Sequence, residues 1–302
     1  MASVLGIGLP EAGKTTFLAA LWHVTESEEV PGALRLERIS ENAKHLNSIR
    51  NDWLRLERVV RTVPGQEQPT TLWLRDERGP VGEVLFPDLS GESFEGAWKD
   101  RHWTNEYDEF VSVADSFLVF VHPGTLKEPY TIAEMQRMAE AAFPEENQTA
   151  GNPQPGDGGD DAPVEIPPEE WSAEKAPTQV QLVDLFQFTE KFRRMKRPVR
   201  VAVIVSAWDL VRENYPGDAG AGNWVKERMS YLDQYLRSNS ELFSVRVYGV
   251  SAQGGDLEKD RNALQNHVRT SERIVIKGPD CAPHDISEPV RWCLGLRDDT
   301  GH

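Results

Sequence analysis

Residues Gly8-Leu9-Pro10-Glu11-Ala12-Gly13-Lys14-Thr15 place two glycines, a lysine and a hydroxyl side chain within eight positions. The glycines let the backbone curl until successive N–H groups converge on one point, which suits the oxygens of a phosphate. Lys14 adds a charge on a flexible stem that reaches the β- and γ-phosphates of a nucleoside triphosphate, and the Thr15 hydroxyl is placed to ligate Mg²⁺. The backbone of Gly8, Glu11, Ala12 and Gly13, with Thr16, completes the candidate phosphate set. A glycine-rich turn that binds nothing is the alternative, and the flanks argue against it. Val4, Leu5 and Ile7 form an apolar, strand-like run before the loop, and Phe17 to Trp22 form a helix-like run after it. A loop between strand and helix points the helix N-terminus at the anion.

A phosphate loop alone does not separate kinases, ATPases and GTPases, so the ends of later strands carry the distinction. The strand Glu83 to Phe86 runs into Pro87-Asp88-Leu89-Ser90-Gly91. Asp88 is placed to bind the Mg²⁺ water shell and the Gly91 N–H to touch a γ-phosphate, although Asp and Gly are also ordinary turn residues. The apolar strand Val199 to Val205 ends in Ser206-Ala207-Trp208-Asp209, and the strand Val245 to Val250 ends in Ser251-Ala252-Gln253-Gly254.

At these two strand ends the chain resembles the GTPases of the Ras-like and translation-factor class, which carry Asn-Lys-x-Asp and Ser-Ala-Lys there. The resemblance implies that Asp209 reads the guanine N1 and N2 donors and that the Ser251-Ala252 backbone meets the guanine oxygen. Ser206 stands in place of the usual Asn and Ala207 in place of the Lys that lies along the base, so part of the base clamp is missing. Trp208 either stacks on the base in compensation or is a core residue beneath the loop. Glu92 follows Gly91 where the family often has a water-positioning Gln, which implies slow intrinsic turnover. The threonine that completes the Mg²⁺ shell in the family corresponds to Thr70 or Thr71, with Thr62 a competitor; Thr70 is taken as the metal ligand. A helix inserted before that segment ends in Arg58 and Arg61, and by analogy with heterotrimeric G-protein alpha subunits Arg61 is the candidate internal arginine finger. More narrowly, the phrase from Gly8 to Trp22, with Asp88 to Glu92 and Ser206 to Asp209, looks like the prokaryotic double-GTPase families. That likeness implies a paired GTPase or an effector as partner, in bacterial signalling or conflict systems.

The elements that must position these residues read as an α/β domain. Residues 36–61 carry Ala43, Leu46, Ile49, Trp53, Leu56 and Val60 in steps of three and four, one stripe of an amphipathic helix. Residues 71–75 and 82–86 alternate around the turn 76–80 and read as a hairpin. Ser116 to Val121 is a buried strand, followed by a helix around Ile132 to Ala142. A helix from Val180 to Phe192 ends in the basic run Arg193 to Arg197, a helix from Trp224 to Leu236 precedes the last strand, and Ile286 to Leu296 forms a final helix. Strands alternating with helices predict a three-layer P-loop NTPase fold with a mostly parallel central sheet. No internal repeat is visible, so the reading is a single G-domain over 1–300 with two insertions, the helix at 36–61 and an acidic segment at 143–178. That segment holds nine acidic residues against one lysine, and with little to bury it reads as disordered.

The net charge of −16 argues against a nucleic-acid or anionic-membrane surface. About half of it sits in the acidic insertion. Cys281 and Cys293 are the only cysteines and read as free thiols in a reducing compartment, and no run approaches the roughly 20 apolar residues of a membrane span. The expected location is the cytoplasm. The seven histidines are scattered without metal-ligand spacing, so Mg²⁺ is the one metal expected. The expected function is a nucleotide-gated switch with GTP or GDP as ligand, in which Phe94 and Trp98 are candidate readout residues. A second GTPase, an effector, or a second copy of this chain is the expected partner. A P-loop ATPase or kinase, favoured by Ser206-Ala207, and a nucleotide-binding scaffold without turnover, favoured by Glu92, stand as rivals.

Overall fold

Parallel strands covered on both faces appear as continuous apolar runs. β1 (Ala2–Ile7), β5 (Ser116–Val121) and β6 (Val199–Ser206) are of this kind and lie side by side, with β1 parallel to β5 and β5 to β6. The computed structural model describes residues 2–39, 43–59, 69–87, 91–100, 102, 105–130, 133, 136–137, 175–188 and 198–296. Five further described strands complete the sheet: β2 (Arg35–Ile39), β3 (Thr70–Asp76), β4 (Gly79–Phe86), β7 (Phe243–Ser251) and β8 (Val275–Lys277). Their spatial order is β2-β3-β4-β1-β5-β6-β7-β8. The central pairs are parallel, and β2, β3 and β8 join antiparallel at the two edges. The expected three-layer α/β architecture with a mostly parallel sheet is the one observed.

Each face of the sheet buries its own core. On one face Val4, Leu118, Phe120 and Ile204 pack with α1 (Lys14–Ser27), α2 (Ala43–Leu54) and α8 (Glu288–Cys293). On the other, Leu5, Ile7, Val119, Val203 and Val205 pack with α3 (Glu92–Asp100), α4 (Asn105–Val113), α5 (Thr178–Phe188), α6 (Gly220–Arg228) and α7 (Ser230–Ser238). Alternate residues of one strand therefore serve opposite layers, as strand geometry requires.

The helix expected over 36–61 is divided. Residues 35–39 form β2, paired in antiparallel register with β3 from Arg35 opposite Arg75 to Ile39 opposite Leu72. Its exposed Arg35, Glu37 and Arg38 give the sheet a charged edge, which resists pairing with another chain. The apolar stripe does become α2, with Leu46, Ile49 and Trp53 buried, and the chain leaves helical geometry at Leu56, where φ is 55°. The hairpin is observed as β3 and β4. The helix expected from Trp224 to Leu236 is two helices, because the backbone turns at Met229 while its side chain is fully enclosed in the core. The basic run 193–197, all but residues 133, 136 and 137 of the helix expected around 132–142, and most of the acidic segment 143–178 lie outside the described residues. The last four residues of that segment are described: Ala176 is buried and Thr178 opens α5.

Candidate functional site

The phosphate loop turns out of β1 with Ala12 N donating to Leu9 O at 3.3 Å. Glu11 and Gly13 take left-handed conformations, with φ of 60° and 91°. At position 13 a side chain is also excluded by space, since a Cβ would come within 2.7 Å of Ser206 Cβ and Oγ. Lys14 is buried, and its ammonium donates to Gly8 O at 2.7 Å and Leu9 O at 3.1 Å. It lies folded back along its own loop, held by carbonyls whose place phosphate oxygens can take. Thr15 and Thr16 stand half-buried on the first turn of α1.

Gly91 closes against this loop from the other side. It has φ 85°, and a Cβ there would meet Leu9 C at 2.5 Å and both Gly8 O and Lys14 Nζ at 2.6 Å. Only a glycine allows that approach. Glu92 follows, half-buried, as the first residue of α3. Phe94 and Trp98 are not offered to a partner: Phe94 packs edge-on against Tyr107, and Trp98 Nε1 donates to Asp184 Oδ2 at 2.9 Å. Both belong to the core, so packing decides their role. Thr70 is fully enclosed at the first position of β3, opposite Phe86. Arg61, Thr62 and Asp88 lie outside the described residues.

The ends of β6 and β7 meet beside the loop. Ser206, which stands where the family has Asn, donates from Oγ toward Ala12 O at 2.8 Å and Val121 O at 3.1 Å. It braces the phosphate loop against the end of β5. Ala207 follows in a left-handed conformation, and Trp208 is buried with its indole packed where a Cβ on Gly249 would go. Trp208 is therefore a core residue beneath the loop, and it does not stack on a base. Ser251 Oγ makes a short hydrogen bond to Asp209 Oδ1 and accepts from Gly254 N at 3.0 Å. The Ser251 side chain is thus committed to aligning the carboxylate, which leaves the backbone of this loop for a ligand.

A cleft of about 180 Å³ joins these parts, lined by Gly13, Thr16, Ser206, Asp209, Ala252 and Gln253, among others. Two of its lining residues escaped the sequence reasoning. His122 follows β5 directly; Nδ1 accepts from Gly124 N at 3.0 Å, so the neutral ring carries its proton on Nε2. Burial holds its pKa below the usual 6.5, against the opposing pull of Asp209 and Glu11. Its place just past the carboxyl end of a central parallel strand was the available signal, since ligands of open α/β sheets bind there. Gln253 presents a buried Oε1 with no hydrogen-bond partner among the described residues. An unsatisfied amide oxygen in a cleft is a place for a ligand donor.

The residues present fit a nucleotide: a left-handed loop that excludes side chains, a buried ammonium at its centre, and an aligned carboxylate across a cleft. Among the described residues no group of three or more His, Cys, Asp or Glu is gathered for a metal ion. The phosphate loop leading out of a central parallel strand, with Asp209 at the end of β6 and Ser251-Ala252 at the end of β7 beside it, defines a P-loop domain of the GTPase class. The model of the family DO-GTPase1, Double-GTPase 1, matches residues 5–293, and the chain belongs to that family. Membership makes it a guanine-nucleotide-binding domain of switch type. No curated protein matches the chain. No described helix is long and apolar enough to cross a membrane.

Proposed function

We propose that this protein is a GTP-hydrolysing switch in which Asp209 and the Ser251-Ala252 loop read guanine while residues 8–16 hold the phosphates. The observation that supports it is the single cleft in which Asp209, aligned by Ser251, stands with Gly13 and Thr16. Guanine offers N–H donors at N1 and N2, whereas adenine offers an acceptor at N1. A fixed carboxylate therefore favours the first base and repels the second, and a site built for hydrogen bonding rejects a ligand that leaves it unpaired.

Lys14 exchanges the Gly8 and Leu9 carbonyls for phosphate oxygens as the nucleotide enters. Thr15 and Asp88 would hold Mg²⁺, which neutralises phosphate charge when bound. Thr70 would have to leave its enclosed position to join them, and Thr62 and Thr71 are the other candidates. Gly91, already against Lys14, is placed to sense a γ-phosphate, and the segments near 61–71 and 89–96 would be ordered by it. Glu92 is repelled by that phosphate unless a cation such as the Arg61 finger screens it, so intrinsic hydrolysis is slow. The reader of the ordered state would be a second GTPase, an effector or a second copy of the chain, in a cytoplasmic bacterial signalling or conflict system.

Two other readings each have an observation behind them. Glu92 at the head of α3 favours a scaffold that binds nucleotide without turnover, and the Ser206-Ala207 pair favours an ATPase. The affinities of the purified protein for GTP, GDP and ATP with Mg²⁺, followed over time for phosphate release, separate the three. Guanine selectivity of roughly tenfold or more that disappears in Asp209→Ala supports the GTPase. ATP binding equal to GTP replaces it with the ATPase, and tight binding without turnover, even with a partner present, replaces it with the scaffold. A single-turnover rate above about one per second without a partner overturns slow hydrolysis.

A further inference from the structure

The loop assigned to the base is held from a side that the phosphate motifs do not touch. Trp53, fully buried near the end of α2, donates from Nε1 to Ala252 O at 2.9 Å across 199 positions of sequence. Its ring is covered by the Arg273 guanidinium at 3.8 Å from the centroid, and Arg273 also donates to the Trp53 carbonyl. The same stretch meets the loop directly, because a side chain on Gly254, at φ 94°, would collide with the Arg273 carbonyl oxygen. Past this loop, Arg261 donates to Leu56 O at 3.0 Å and Arg55 O at 3.2 Å, holding the two residues that follow the end of α2.

These contacts close a ring around Ser251 to Gly254. On the cleft side the loop is tied through Ser251 to Asp209. On the far side it is tied through Ala252 O to Trp53, and Trp53 is fixed in turn by Arg273 and by the hold of Arg261 on the residues after α2. A peptide held by its carbonyl has the N–H of the same unit, here that of Gln253, aimed as well, because each peptide unit is planar and turns as a whole. The loop that meets the base is therefore oriented by α2, an element with no residue among those lining the cleft.

We propose that Trp53 is a positioning residue for guanine recognition, acting through the Ala252 carbonyl. The proposal rests on the assignment of Asp209 and the Ser251-Ala252 loop as base contacts. It separates two uses of one nucleotide: phosphate affinity comes from the 8–16 loop and survives loss of the Trp53 bond, whereas base selectivity does not.

The test is Trp53→Phe in the full chain, which keeps a ring beneath Arg273 and removes the N–H donor. Dissociation constants for GDP and ADP are measured by titration with fluorescent analogues, alongside thermal melting. The expected result is a GDP affinity lower by roughly tenfold, the scale of one buried hydrogen bond, with ADP affinity within about twofold of the unaltered protein. Unchanged GDP affinity, or equal losses for GDP and ADP, overturns the proposal. Should Trp53→Phe fail to fold, Arg261→Ala decides: it releases the residues that follow α2, and a loss of about two- to threefold confined to GDP is expected. Wild-type GDP affinity in Arg261→Ala then overturns it. Asp209→Ala distinguishes the two levels. If the unaltered protein binds GDP and ADP alike and Asp209→Ala changes nothing, the base assignment itself falls and takes the role of Trp53 with it. If Asp209→Ala abolishes guanine preference while Trp53→Phe retains it, only the role of Trp53 falls.

Discussion

Replacing Ser206 with Ala removes one hydroxyl from between three elements, the phosphate loop, the end of β5 and the end of β6. One O–H donates fully to one carbonyl at a time. The 2.8 Å separation from Ala12 O is an ordinary hydroxyl bond, and the 3.1 Å separation from Val121 O is a weaker secondary one. The loss therefore amounts to about one buried hydrogen bond, roughly 1–1.5 kcal/mol, with Ala12 O left unpaired in a buried position. Spread over the whole fold, this lowers the melting temperature by about 2 °C. Within the site it lets the loop leave its preformed shape, and affinity falls by the fraction of molecules still competent, at most about tenfold. Because every nucleotide uses this loop, GTP, GDP and ATP lose the same factor. Titration of all three in Ser206→Ala, with a melting curve, checks the argument. A loss confined to guanine nucleotides would mean that Ser206 reads the base as the family's Asn does. Unchanged affinity and unchanged melting together would mean that the hydroxyl braces nothing.

Gly91→Ala places a methyl group against Leu9 C and Gly8 O at 2.5–2.6 Å in a left-handed backbone; the preference for GTP over GDP should vanish, and retention of that preference in equilibrium titration refutes Gly91 as the γ-phosphate sensor. Gln253→Leu keeps the bulk but removes the unsatisfied Oε1, so nucleotide affinity should fall by about threefold to tenfold with no loss of melting temperature; unchanged affinity removes Gln253 from the site. His23, His45 and His122 are all held below the usual 6.5, chiefly by burial. Their folded values lie below their unfolded ones, so their contribution is complete above about pH 6.5 and is lost as pH falls through the folded values. Melting temperature should be level from pH 7 to 8 and decline below pH 6.5, and a rise on acidification contradicts this.

Much of the site is local in sequence and was legible there. The loop from Gly8 to Thr15 works through backbone turns within one stretch of chain, and two glycines with a lysine imply it without reference to any other element. The acidic Asp209 and the Ser251-Ala252 loop were legible as strand ends because long apolar runs mark the central strands unmistakably. The edges were not: β2 is short and charged, β8 has three residues, and neither carries the periodicity that identifies a buried element. Nor was Met229 visible as a break, since an apolar residue continues a helical stripe until the core demands its side chain elsewhere.

The sequence by itself determined the residues of the phosphate loop and of the two strand ends proposed to read the base, and that strands alternating with helices carry them. Only the tertiary structure decided what Ser206, Trp208, Phe94, Trp98 and Trp53 touch. Ser206 and Ala12 are separated by 194 positions, and Trp53 and Ala252 by 199. The first pair meets because the sheet order sets β1, β5 and β6 side by side, and the second because α2 packs with α1 on the face of the sheet where β7 ends. A side chain's type fixes the bonds it can make, but which group stands within 3 Å of it depends on how strands far apart in the chain are paired.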